Sequence, residues 1–206
     1  MDTALEIAPE TAKGLDRAAL DVIFGEARTT YAWRPAPVPL ATLQALYDLA
    51  RLGPTSLNCC PGRFLFLTTP DAQERLVPAL SPGNVDKVRA APMTTVVAYD
   101  SRFYDELPKL VPFGDLRSRF ADDEALAHET AFRNGTLQGA YLIVAARALG
   151  LDCGPMSGFD AAAVNAEFFP DGRWRANFLV NLGWRSGLPA FPRMPRLDFE
   201  QACQIF

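Results

Sequence analysis

Two basic clusters lie at opposite ends of the chain. Arg28-Thr29-Thr30 offers a guanidinium fork followed by two hydroxyls, and Arg193 and Arg196 flank Met194-Pro195 near the C-terminus. Planar guanidinium donors match phosphate oxygens, often two at a time. Either cluster alone is what a solvated surface carries; taken together they suit a phosphate. Between them, Pro54, Thr55, Ser56 and Asn58 bring backbone carbonyls, hydroxyls and a side-chain amide, suited to the polar edge of a heterocycle. Ser157-Gly158 stands in a turn-rich stretch just after a long apolar segment, and a loop so held can aim backbone N–H groups at a ligand. The constellation fits a phosphorylated, planar cofactor.

Other chemistries find less material. There is no GxGxxG fingerprint, P-loop or GxSxG elbow. Cys59, Cys60, Cys153, Cys203 and the sole histidine, His128, show no metal-ligand spacing, so no metal is expected. Cys59 or Cys60 with His128 makes a thiol–imidazole pair only within hydrogen-bond reach, and a buried structural cysteine is the commoner use. Adjacent cysteines are poor material for a disulfide framework, and a cytosolic chain keeps them reduced.

The elements that must position these groups centre on a long helix over residues 123–149. Asp122 and Asp123 supply N-caps, Glu124 and Glu129 suit the positive end, and Gly150 a C-cap. At 1.5 Å per residue it runs about 40 Å. Residues 135–149 are apolar nearly all round, broken only by Gln138 and Arg147. Such a helix must be covered on every side, which predicts a second subunit rather than the core of a monomer. Periodicity gives further helices over residues 11–27, 40–52 and 71–80, and Asp160 caps one at residues 161–169. Strands are expected at residues 64–68, 93–99 and 177–184. Residues 82–92 read as a loop with a helical turn, 103–120 as broken helical material, and 151–160 as a turn-rich loop. The tail is Pro-rich and extended before a last helical turn.

With 206 residues, 49% of them hydrophobic, the chain reads as a single α+β domain over residues 1–206. A net charge of −4 gives no basic face for nucleic acid. No apolar run reaches the length of a membrane span. The first twenty residues hold acids early and no signal-type apolar core, which predicts a cytoplasmic protein.

The motifs resemble a known family. GPTSLNCCPGRFLFL resembles the PSSxNxQPWxF segment of nitroreductase-like flavoproteins, GLDCGPMSGFD their flavin-contacting segment, and the Arg28 loop their phosphate-binding motif. ARTxxxW, GPTSxNC, ETAFRN, AYLIVAxRALGLDxGPMSGFD and PRLxFE are similar to one branch, the 3-hydroxypropanoate dehydrogenases (malonic semialdehyde reductases) of pyrimidine degradation.

The resemblance implies a nitroreductase-like α+β fold, its central, mostly antiparallel sheet flanked by helices. It implies a homodimer built on the long helix, with an exchanged C-terminal tail and two FMN sites at the interface. Arg28 and Thr29, beside Thr30, would hold the FMN phosphate with Arg193 or Arg196. Pro54, Thr55, Ser56 and Asn58 would line the isoalloxazine and ribityl chain. The catalytic groups would be the backbone N–H groups of Ser157 and Gly158, facing flavin N5 and O4, with Lys87 near N1 and O2. NADH or NADPH would give hydride to N5, and a small acceptor would take it from the same face. Malonic semialdehyde is the acceptor implied, its proton coming from solvent or Ser157. The alternatives are a nitro compound, quinone or enone, or a flavin-binding module without turnover. Two departures stand out: Cys60-Pro61-Gly62 replaces Gln-Pro-Trp and opens one face, and Tyr31 falls near a usually basic position.

Overall fold

The computed structural model describes residues 14–187 and 191–206. Residues 11–13 of the expected first helix lie outside them. The rest of that helix is short: α1 (Arg17–Leu20), capped by Asp16, widens into a π-helical turn over Asp21–Gly25. Next come α2 (Leu40–Ala50), β1 (Gly62–Leu67) and α3 (Pro70–Leu76), which ends in a 3₁₀ turn at Val77–Ala79. Residues 82–90 form a nine-residue helix, α4 (Pro82–Ala90), where the sequence suggested a loop with one turn. Pro82 occupies its first turn, where the missing N–H costs nothing. After β2 (Met93–Asp100), the segment before the long helix is broken as expected, into a 3₁₀ turn (Phe103–Glu106), α5 (Leu107–Leu110) and α6 (Arg117–Ala121).

The long helix, α7 (Glu124–Ala148), has the ends its sequence specified. The Asp123 carboxylate accepts from the Leu126 N–H at 2.9 Å. At the other end Gly150 takes φ +78°, its N–H donates to Arg147 O, and the Leu151 N–H donates to Ala146 O. That pair of bonds is a Schellman closure, and its left-handed residue is the reason for glycine.

Residues 152–156 form a strand, β3 (Asp152–Met156), rather than a loop. α8 (Ala161–Phe168), β4 (Trp174–Gly183) and α9 (Phe199–Ala202) complete the order. The sheet runs β1-β2-β4-β3, with every pairing antiparallel. β3 is thus an edge strand, the position in a sheet where Pro155 is tolerated.

Helices cover both faces. Leu43, Leu46 and Ala50 of α2 pack with Leu142, Ala145 and Ala146 of α7 against Met93, Val97, Val180 and Leu182. On the opposite face Leu76, Val88 and Val164 of α3, α4 and α8 meet Val96, Ala98 and Leu179. β2, buried along its whole length, lies between the two layers. α7 comes close to the sheet because Gly139 carries no side chain. A Cβ there would lie 2.5 Å from the Phe178 ring and 2.8 Å from Val97.

Along α7, Phe132, Leu137 and Tyr141 are exposed, the last two on one side at i, i+4 spacing. The polar Gln138 instead turns inward and accepts from the Gly62 N–H at 2.7 Å, fixing the start of β1 to α7. Asp100 ends β2 as a buried carboxylate between Arg63 (2.7 Å) and Arg173 (3.1 Å). Among the described residues no helix is long and apolar enough to cross a membrane.

Candidate functional site

The chain at Thr29 bridges in parallel to Cys153, and the Thr30 N–H donates to Cys153 O at 2.9 Å. The Arg28 loop therefore continues the sheet beyond β3. A cavity of about 510 Å³ opens there, lined by Arg28, Thr29, Tyr31, Arg147, Arg193 and Arg196. Arg28 donates through Nη1 to Gly25 O (3.0 Å) and Ala27 O (2.9 Å), and Arg193 through Nη2 to the same two oxygens at 3.0 and 3.1 Å. The two guanidiniums, 165 positions apart in the chain, are thus gathered on one turn. Among the described residues Arg196 donates only to its neighbours Met194 O and Pro195 O. Among the described residues none of these four arginines pairs with a carboxylate.

A second cavity, about 220 Å³, shares Thr29 and Tyr31 with the first and adds Thr30, Lys87, Ser157 and Gly158. Asn84, buried on α4, joins its parts. Its Nδ2 donates to Gly158 O at 2.9 Å and its Oδ1 accepts from Lys87 Nζ at 3.0 Å. The Ser81 N–H also donates to Gly158 O, at 3.0 Å. The turn is therefore fixed through its carbonyl. Among the described residues the Ser157 and Gly158 N–H groups donate to no other protein group. Lys87 Nζ stands 5.3 Å from the centre of the Tyr31 ring, and that ring meets Phe191 of the tail edge-on at 5.9 Å. The Lys87 helix is itself held from behind: Asn181 Nδ2 donates to Lys87 O, and Gln73 Nε2 to Val88 O and Ala91 O.

Eight of the expected site residues therefore meet at one corner: Arg28, Thr29, Thr30, Lys87, Ser157, Gly158, Arg193 and Arg196. Pro54, Thr55, Ser56 and Asn58 do not. They precede β1, whose Gly62 pairs with Tyr99, whereas Cys153 pairs with Leu182, opposite Met93. The two groups occupy diagonal corners of the sheet, roughly 20 Å apart in each direction at ordinary strand spacings. Residues 54–60 are nonetheless tightly built. Ser56 N–H donates to Asn134 Oδ1 (2.8 Å), Asn58 Nδ2 to Leu110 O (3.1 Å), and Cys60 N–H to Thr55 Oγ1 (3.2 Å). Those bonds hold Leu57, Asn58 and Cys60 at φ of 52°, 51° and 40°. Left-handed backbone at Leu57 and Cys60 costs on the order of 1 kcal/mol or more each, and such cost concentrates at functional segments.

The thiol–imidazole pairing is not formed. His128 Nε2 bonds instead to Tyr99 Oη at 3.2 Å, and burial pushes the Cys59 thiol up to about 11. In the sequence Arg147 stands out only as a break in an apolar helix, and Asn84 is marked only by standing three residues before Lys87, the spacing that places two side chains on one helix face.

The Nitroreductase family pattern matches residues 25–184, and the chain belongs to that family. A provisionally named NADH dehydrogenase/NAD(P)H nitroreductase of Rhodopseudomonas palustris (strain TIE-1) is 56% identical over 186 residues, 90% of this chain and 95% of the relative. A provisionally named nitroreductase of Bacillus subtilis shares the fold with a TM-score of 0.81 at 22% identity, covering 92% of this chain and 99% of that one. Another, from Exiguobacterium sibiricum 255-15 and solved in complex with FMN, gives 0.79 at 18% identity, with 95% and 99% covered.

Proposed function

We propose that the protein is an FMN-dependent NAD(P)H oxidoreductase, a single-domain cytoplasmic homodimer that reduces malonic semialdehyde to 3-hydroxypropanoate. The observation that carries the reading is the arginine-lined cavity, free of carboxylate partners among the described residues, opening beside the cavity of Lys87 and the Ser157–Gly158 turn. Unpaired guanidiniums fit a phosphate ester, and a cation beside two available N–H groups fits the polar edge of a flavin.

Arg28 and Arg193 would hold the phosphate, with Thr29 and Thr30 beside them. Lys87 would lie near flavin N1 and O2, and the Ser157 and Gly158 N–H groups near N5 and O4. Bound there, FMN would supply the chemistry of hydride transfer between a reduced nicotinamide dinucleotide and an acceptor. The protein's part is to orient and to supply fixed charge. Asn84 holds Lys87 and the Gly158 carbonyl, so the cation and the turn that carries the two N–H groups would need little reorganisation during the reaction. Solvent or the hydroxyl of Ser157, exposed at the turn, would pass a proton to the product alkoxide.

Pro54, Thr55, Ser56 and Asn58 complete this reading only in a dimer. The diagonal between the corners is longer than a flavin mononucleotide, so one chain's residues 54–58 serve the cofactor held by its partner. The exposed Leu137 and Tyr141 of α7, on one side of the helix, would supply apolar surface for that pairing. The branch-specific motifs support the semialdehyde as acceptor, and the Rhodopseudomonas relative's name supports a nitro acceptor as the second reading. Anaerobic stopped-flow separates them. The flavin should bleach with reduced nicotinamide and recover its colour faster with malonic semialdehyde than with nitroaromatics or quinones. A bound flavin that no nicotinamide bleaches would leave only a binding module.

A further inference from the structure

The guanidinium groups at this corner outnumber what one phosphate requires. Beyond Arg28 and Arg147, which also line the 510 Å³ cavity, lies a separate cleft of about 290 Å³ that adds Arg34 and Arg185. Six arginines thus surround two adjoining spaces. Among the described residues the acids that face them are Glu26 and Asp152, both in the smaller cleft.

Asp152 is partly committed. Its Oδ2 accepts from the Arg185 backbone N–H at 3.0 Å, and its Oδ1 stands 3.9 Å from Arg185 Nε. Arg34 Nε donates to Arg185 O at 3.1 Å, and Arg147 Nη1 to Ile23 O at 3.2 Å. A guanidinium has five donors, so these bonds set the direction of each group and leave most of its donors for a ligand. Arg34 and Arg147 pair with no carboxylate among the described residues.

Six guanidiniums facing two carboxylates exceed what one phosphate ester, bringing about −1.5 to −2, neutralises. The crowding is already felt: partial desolvation, then the charges of Arg28, Arg196 and Arg147, hold the Arg193 guanidinium below its usual range. A protein of net charge −4 that gathers so much positive charge on a concave surface has a place for more than one anion.

We infer that the cleft of Arg34, Arg147 and Arg185 is a second phosphate subsite, which takes a phosphate group of the reduced nicotinamide dinucleotide while Arg28 and Arg193 take that of the flavin. The inference rests on the function proposed above and deepens it, because it assigns residues to the hydride donor. Arg147 and Arg28, lining both spaces, stand between the two anions and lower the repulsion between them.

The test uses the FMN-loaded protein and needs no turnover. Calorimetric titrations with 2′,5′-ADP, 5′-ADP and inorganic phosphate are compared for the parent, Arg34→Ala, Arg185→Ala and the charge-keeping Arg34→Lys. A nucleotide should bind the parent. Arg34→Ala and Arg185→Ala should each weaken it about tenfold or more, the size of a lost charge-assisted bond, and Arg34→Lys should weaken it less. FMN affinity, read from flavin fluorescence, should stay within about twofold, since neither residue lines the flavin-phosphate cavity. Tighter binding of 2′,5′-ADP assigns the subsite to the 2′-phosphate and hence to NADPH; tighter binding of 5′-ADP, which alone carries a diphosphate, assigns it to the diphosphate, and equal binding to the 5′-phosphate that both carry. The inference is overturned if neither nucleotide binds, if the substitutions leave binding unchanged, or if inorganic phosphate binds as tightly as the nucleotides. A protein that does not bind FMN at all would instead overturn the function it rests on.

Discussion

Asn84 and Gly158 are built to each other: the Asn84 amide donates to the Gly158 carbonyl at 2.9 Å, and a Cβ on Gly158 would lie 2.7 Å from that same nitrogen. Asn84 cannot swing aside cheaply, because its oxygen holds Lys87 and its side chain is buried. Gly158→Ala should therefore cost about 1–3 kcal/mol in urea unfolding of the apoprotein, as overpacking does. Asn84→Ala in the same chain should recover part of that cost. If the two changes simply add, the clash is not the cause.

Arg28 and Arg193 share the Gly25 and Ala27 carbonyls, whereas Arg196 donates to its own neighbours, Met194 O and Pro195 O. The phosphate should follow that geometry. Arg28→Ala and Arg193→Ala should each weaken FMN binding by roughly 1.5–3 kcal/mol, and Arg196→Ala by less. Riboflavin, lacking the phosphate, should bind parent and variants about equally. An equal loss of both ligands would mean that the arginines act through folding.

These contacts also mark what the sequence made legible. α7 was readable because Asp123, the long apolar run and Gly150 agree on both of its ends. β3 was not, since Gly154-Pro155 is ordinarily a turn signal and becomes a strand only at a sheet edge. α4 was obscured by Pro82-Gly83 at its start. The site residues were legible as types, through guanidinium, hydroxyl and amide chemistry. Their grouping depends on strand order and register, so only the structure separates residues 54–58 from Arg28 by the diagonal of the sheet. The role of Asn84 is not legible in the sequence, because it arises from a contact 74 positions away.

Asp100 anchors the residue 54–60 corner. Buried between Arg63 and Arg173, it also accepts from the Arg102 N–H at 2.9 Å, and its own N–H donates to Pro61 O at 2.8 Å. Asp100→Asn keeps the shape but removes the carboxylate that pairs with Arg63 and the nearest of those facing Arg173, whose other acids, Asp105 and Glu106, stand at 3.9 Å. Removing one partner of such a network costs about 3–5 kcal/mol. Urea unfolding should show that loss, and Arg63→Met, which removes a less buried partner, should cost less.

Alkaline pH offers a check on the core. Burial raises the Cys59 thiol from 9.0 to about 11 and the Cys153 thiol to about 12. Above pH 9 the unfolded chain releases these protons while the folded chain keeps them. Stability should therefore be complete below about pH 9 and decline as pH rises through 11 and 12. Cys59→Ala and Cys153→Ala, compared with the parent in denaturant midpoints across that range, should each flatten the decline. An unchanged slope would show that the thiols are not its source.

The diagonal separation of Arg28 from Asn58 allows a test of the dimer that does not depend on size measurement. If each flavin site takes Arg28 from one chain and Asn58 from the other, two defective variants can complement. In a mixed dimer of Arg28→Ala with Asn58→Ala, both defects fall in one site, and the other site is built wholly from parent residues. Random exchange makes about half the dimers mixed, so about a quarter of the sites should recover parent affinity. Unfolding and refolding the two variants together, then titrating FMN by fluorescence, should show this tight fraction, absent when each variant is refolded alone. A site contained within one chain predicts no tight fraction at all, since every chain would carry its own defect. That outcome, in protein that still binds FMN as the parent, would overturn the shared site.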